Sequence, residues 1–248
     1  MPDDFLGLDG RRVLVAGAGG LGGAVVDGFA AAGARVGVID VSAEGLAALG
    51  DRASATAQAD LRDPDACRAG VAEVESALGG LDVFVHAVGI NDRRPVEEYA
   101  DADWDAILAT NLTSAFHTGV AALKGMRERG YGRVVFFSSV AGRSGHKLHG
   151  PYAATKGAIN QLMRVMAHEH AADGVTVNAV APGYMETPLT AQYLAEHPDK
   201  HRALVELIPA GRFGRYEEVV GPVLFLASRQ ASFVTGQVLY VDGGRTIV

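Results

Sequence analysis

Six short runs of Val, Ile, Leu and Phe recur along the chain. They are RVLVAG (12–17), RVGVID (35–40), LDVFVHAVG (81–89), GRVVFFSS (132–139), VTVNAVAPG (175–183) and GQVLYVDGG (236–244). Each is apolar at nearly every position, as strands are when helices cover both faces of a sheet. Between them, 3.6-residue periodicity predicts helices over 22–32, 43–50, 64–78, 103–128, 152–172 and 217–228. Strands and helices alternating at this rhythm predict an α/β fold, a doubly wound parallel sheet flanked by helices. No linker-like stretch or internal repeat breaks the pattern, so residues 1–248 read as a single domain.

Composition excludes several classes. Lys and Arg number 22 against 29 Asp and Glu, giving a net charge of -7, and there is no long basic run. Nucleic acid and an anionic membrane surface are therefore not expected partners. The first residues lack a basic segment followed by an apolar one, and no window reaches the roughly 18 apolar residues of a membrane span. A cytoplasmic protein is expected. Cys67 is the lone cysteine, which leaves no intrachain disulfide, and no metal is expected.

Candidate chemistry begins at the end of the first run. Gly17-Ala18-Gly19-Gly20-Leu21-Gly22 is a GxGxxG directly after a strand and opening a helix. Such glycines permit a tight turn, close backbone approach to a pyrophosphate, and close helix–strand packing. The helix N-terminus adds free N–H groups and a favourable dipole. Together these predict a Rossmann-type nucleotide site. Asp40 ends the second strand, where a carboxylate accepts hydrogen bonds from an adenosine ribose and repels a 2′-phosphate. Val41 and Ser42 offer no cation, so NAD is the expected cofactor. The alternative is that Asp40 only caps the following helix.

The second cluster is "GPYAATKGAI" (150–159), which sets Tyr152 and Lys156 one helical turn apart on one face. A phenol is a poor base near pH 7, and a neighbouring ammonium is expected to lower its pKa into a useful range. Ser139, ending the fourth run, offers a hydroxyl to a substrate oxygen. Asn111 in "ILATNLTSAF" has an amide able to hold a relay water, or simply to satisfy nearby backbone.

With these landmarks in place, the chain resembles the short-chain dehydrogenases/reductases of the single-domain type. Asp60 in "ADLRD", "NAVAPG" (178–183) with Thr187, and "VDGG" (241–244) complete the likeness, which covers essentially the whole length. The resemblance implies that Tyr152 is the general acid/base and that Lys156 lowers its pKa and holds the nicotinamide ribose. Ser139 would position the reacting oxygen, and Asn111 would anchor the relay water. Cofactor contacts would come from Gly17, Gly19, Gly20, Leu21, Gly22, Asp40, Asp60, Leu61, Ala87, Gly89, Tyr152, Lys156, Pro182, Gly183 and Thr187. It also implies a homo-oligomer, a tetramer or dimer. Two features depart from the family's pattern. The glycine turn is one residue short and lacks its leading threonine, and "HAVG" (86–89) stands where the family carries Asn-Asn-Ala-Gly. His86 is expected to substitute structurally for the asparagine.

Three segments are expected to line the substrate site: 90–95, 142–151 and about 184–216. The last is similar to gluconate 5-dehydrogenase and deoxygluconate dehydrogenase sequences. Arg93, Arg94, His146, His149 and Tyr184 are the candidate substrate residues, and a guanidinium fork would suit the carboxylate of a sugar acid. A 3-oxoacyl thioester, or a cyclic or aromatic ketone, is the alternative substrate. A nucleotide-binding regulator without turnover is the alternative of another class.

Overall fold

The computed structural model describes residues 4–186 and 196–248, so Thr187 lies outside the described residues. The strands are β1 (Arg12–Ala16), β2 (Arg35–Asp40), β3 (Ala55–Gln58), β4 (Val83–His86), β5 (Gly132–Phe137), β6 (Val175–Pro182) and β7 (Val238–Val241). Among the described residues they form one sheet in the order β3-β2-β1-β4-β5-β6-β7. Every pairing is parallel. The order reverses between β1 and β4, and such a switch point opens a crevice beyond the strands' carboxyl ends.

The helices are α1 (Gly20–Ala31), α2 (Ala43–Ala47), α3 (Pro64–Leu78), α4 (Asp101–Leu108), α5 (Ser114–Arg129), α6 (Gly150–His170), α7 (Pro198–Val205) and α8 (Glu217–Ala227). Local chemistry sets several of their ends. Asp63 caps α3 by accepting from Asp65 N, Pro64 opens its first turn, and Gly79 closes it at φ 77°. A π turn, Ala109–Thr113, joins α4 to α5 and carries Asn111.

Continuous apolar strands still sort their side chains by alternation. Val13, Val15, Val36, Val38, Val83 and Val85 enter one core, which includes residues of α1 and α8. Leu14, Ala16, Ile39, Phe84 and Phe136 enter the other, with residues of α3, α5 and α6. Both faces are sealed, which explains the unbroken hydrophobicity of the inner strands. Cys67 on α3 is fully buried, with its Sγ 3.1 Å from Leu61 O. Burial pushes its thiol up to about 11.

Three expectations change. Strand β3 was not expected: ATAQ lies at the sheet edge, pairs with β2 alone, and buries only Ala57. Helix α7 was read as part of a substrate segment, because it is polar and buries none of its residues. Finally, the run Asp101–Arg129 is long enough and, at mean hydropathy 1.2, apolar enough to cross a membrane by length and composition. Here its apolar residues Ala115, Ala122, Leu123 and Met126 belong to the core shared with α3 and α6.

Candidate active site

The crevice at the switch point encloses about 600 Å³. Its floor is the glycine turn between β1 and α1. Gly17 at φ 97° and Gly20 at φ 51° adopt backbone angles that side chains disfavour. Gly22 is needed for another reason, since a Cβ there would lie 2.1 Å from Gly17 O. A Cβ on Gly19 would meet nothing within 4 Å, so Gly19 faces open space above the turn. Although one residue short, the loop therefore keeps an open backbone surface at the start of α1.

Asp40 holds this turn from the side. Its Oδ2 accepts from Ala18 N at 2.7 Å and its Oδ1 from Ser42 N at 2.8 Å. Helix α2 is capped instead by Ser42, whose Oγ accepts from Gly45 N. Capping of that helix is thus not Asp40's task. Asp40, Asp60, Leu61, Val88 and Thr110 line an adjoining cavity of about 270 Å³. Arg62 ion-pairs with Asp60 there at 2.6 Å, and this contact holds the Asp60 carboxyl below its usual range.

Ser139, Tyr152 and Lys156 line the main crevice together with Ala87, Gly89, Pro182 and Gly183. Strand β5 delivers Ser139, and the first turns of α6 deliver Tyr152 and Lys156. The Ser139 hydroxyl lies by the Tyr152 phenol and favours its ionised form. Lys156 is buried and donates to Phe137 O at 2.8 Å, with its Nζ 5.6 Å from the Tyr152 ring centre. Gly89 packs closely here, since a Cβ on it would sit in van der Waals contact, 3.4 Å, with both Lys156 Nζ and Asn111 Oδ1.

One electrostatic expectation is corrected. Burial raises the Tyr152 pKa, with Ser139 and Arg93 opposing it. Burial also brings Lys156 itself down to about 8. The phenol is thus held protonated, poised to give a proton to a carbonyl oxygen. Asn111 satisfies nearby backbone, one of its two expected roles. Its Nδ2 donates to Ile90 O at 2.9 Å and Thr155 Oγ1 at 3.2 Å, and its Oδ1 accepts from Ile90 N at 2.8 Å. The amide thereby ties the loop after β4 to α6.

The lowered Lys156 pKa has a measurable consequence. Between about 8 and 10.5 the unfolded chain keeps a proton that the folded chain has released. Stability then rises with pH in that window and is insensitive to this group below it. Wild type should gain on Lys156→Met by at most about 1.4 kcal/mol per pH unit there. Urea unfolding of both proteins near pH 7 and pH 10 reads the gap; a constant gap contradicts a depressed ammonium.

The substrate candidates separate. Arg93 and Tyr184 line the crevice, and Arg93 has no ion-pair partner among the described residues. Arg94 does not serve as expected, because Asp92 and Asp103 both neutralise it and it lies over the Tyr99 ring. His146 and His149 form an aromatic row, His149 lying 6.1 Å from Tyr152 and His146 6.2 Å from Tyr184. Both histidines are lowered, chiefly by burial. Within the expected segment of about 184–216, Met185, Leu204, Phe213 and Tyr216 also line the crevice, although no motif singles them out. Phe213 stacks on Tyr184 at 5.5 Å, an apolar contact that no motif signals.

A glycine cradle at a switch point, with a serine, a tyrosine and a lysine converging beside it, matches a known family across nearly the whole chain. The model of that family, described as enoyl-(acyl carrier protein) reductase (adh_short_C2), covers residues 15–246. The chain belongs to the short-chain dehydrogenase/reductase family. It is an oxidoreductase that interconverts secondary alcohols and ketones with a nicotinamide cofactor. It is 39% identical to gluconate 5-dehydrogenase of Gluconobacter oxydans, over 98% of both chains. It is 38% identical to galactitol 2-dehydrogenase (L-tagatose-forming) of Cereibacter sphaeroides, over 97% of this chain and 96% of that one. The crystal structure of a gluconate 5-dehydrogenase from Burkholderia cenocepacia, in complex with NADP and tartrate, superposes with a TM-score of 0.94. The two are 35% identical and cover one another completely, 100% of each chain.

Proposed function

We propose that the chain oxidises and reduces a sugar acid or polyol with NAD as its cofactor. The observation that carries the substrate class is Arg93, a guanidinium without an ion-pair partner among the described residues, on the crevice wall that contains Tyr152. A guanidinium fork matches a carboxylate, and relatives act on gluconate and galactitol. The dinucleotide would lie over the glycine turn, its adenosine beside Asp40, Asp60 and Leu61 and its nicotinamide ribose at Tyr152 and Lys156. When bound, the nicotinamide gives or takes the hydride. Tyr152 gives a proton to the substrate oxygen or receives one from it, and Ser139 fixes that oxygen by hydrogen bonding. The buried Lys156 ammonium would hold the ribose.

NAD over NADP rests on Asp40, whose charge opposes a 2′-phosphate. The test is a screen of NAD and NADP against gluconate-like acids, polyols, acyl thioesters and cyclic ketones, read by nicotinamide absorbance. NAD-linked turnover of an acid or polyol is the expected result. Turnover of thioesters or cyclic ketones alone would favour the alternative substrate. Asp40→Ala should lower the NAD-to-NADP ratio about tenfold or more, the worth of a charged hydrogen bond. An unchanged ratio would remove the ribose contact.

A homo-oligomer, dimer or tetramer, is part of the same reading. Phe116, Val120 and Val165 on α5 and α6 remain 44–48% exposed around one groove. Apolar residues grouped in this way suit a second copy of the chain, and light scattering gives the mass.

A further inference from the structure

His86 stands at the end of β4 in the middle of the sheet, between Ala16 of β1 and Phe136 of β5. It is 0% exposed. Its Nε2 lies 2.9 Å from Ser114 Oγ, and Ser114 Oγ lies 2.5 Å from Thr110 O. A serine hydroxyl has one hydrogen, and the carbonyl can only accept. Ser114 must therefore donate to Thr110 and accept from His86, which fixes the imidazole as the Nε2–H tautomer. Consistently, Nδ1 is buried without a hydrogen-bond partner.

Thr110 belongs to the π turn that carries Asn111. A π turn is a strained interruption of a helix and needs partners outside its own ladder. Asn111 links it to Ile90 and Thr155, and Thr155 Oγ1 donates to Tyr152 O at 2.7 Å. Two hydrogen-bonded stretches, joined by the peptide bond between Thr110 and Asn111, thus lead from His86 to the backbone of the acid/base residue.

We propose that His86 is a positioning residue: as a neutral Nε2–H donor to Ser114 it locks the π turn that places Asn111, and through Asn111 the segment holding Tyr152. It does not exchange protons with substrate. Burial and the Lys156 ammonium push its pKa down to about 3, so it stays neutral under working conditions.

The test compares His86→Leu, which keeps bulk and drops the donor, with His86→Gln, which keeps a donor at similar reach. The Leu variant should lose about 10- to 100-fold in kcat, as a small misplacement of catalytic groups does. Its KM for the dinucleotide should stay within about threefold, because the glycine turn is untouched. Gln should restore most of kcat. Ser114→Ala should reproduce the Leu defect, and the double variant should be no worse than His86→Leu. Equal losses in Leu and Gln, additive losses in the double variant, or an unchanged kcat would each overturn the proposal. If the Leu variant does not fold, nitrogen NMR of the wild-type imidazole decides. A non-titrating Nε2–H between about pH 5 and 9 supports the lock, and an Nδ1–H or a titration in that range refutes it.

Discussion

Tyr152→Phe is expected to lower turnover about 10²- to 10⁴-fold, the usual worth of a positioned acid or base. Dinucleotide affinity should remain within about twofold, since the substitution leaves the ring and the glycine turn in place. The phenol is held protonated by burial and lines the crevice beside Ser139, so the lost oxygen is the one offered to substrate. Stability should change by no more than about 1 kcal/mol, the net value of one hydrogen bond. Titration of NAD against both proteins, alongside steady-state rates, separates the two effects. Affinity and turnover falling together would remove Tyr152 from the proton-transfer role.

The second large effect is expected in the glycine turn. Gly22→Ala places a Cβ 2.1 Å from Gly17 O, a distance no packed atom tolerates. The loop must move, at about 1–3 kcal/mol of strain, so affinity for the dinucleotide should fall about 5- to 150-fold. The melting temperature should fall with it. Gly19→Ala provides the contrast, because its φ of -86° suits alanine and a Cβ meets nothing within 4 Å. That variant should melt like wild type yet bind more weakly, its methyl group occupying the surface offered to the pyrophosphate. Unchanged binding in Gly19→Ala would place the phosphates elsewhere.

The legible parts of the molecule are those where one residue type answers one physical demand. Apolar runs sealed on both faces read directly as inner strands, and Gly17, Gly20 and Gly22 announced the turn they form. Ser139, Tyr152 and Lys156 could be named because their chemistry and spacing coincide. The edge strand β3 was hidden because an edge needs few apolar side chains. The π turn was hidden because one extra residue in a helix leaves hydrophobic periodicity almost unchanged over a few turns. Arg93 and Arg94 are adjacent and chemically identical, and only the positions of Asp92 and Asp103 distinguish them. The sign of the Tyr152 shift escaped for a similar reason, because desolvation depends on the surrounding fold and is invisible in a four-residue spacing.

The sealed position of Cys67 gives the enzyme an internal reporter. Alkylating reagents attack sulfur as its anion, and a thiol at about 11 under a closed helix presents almost none. Labelling of the native molecule must wait until α3 lifts from the sheet beneath it. The single thiol therefore times the breathing of one side of the molecule, with no engineered probe required.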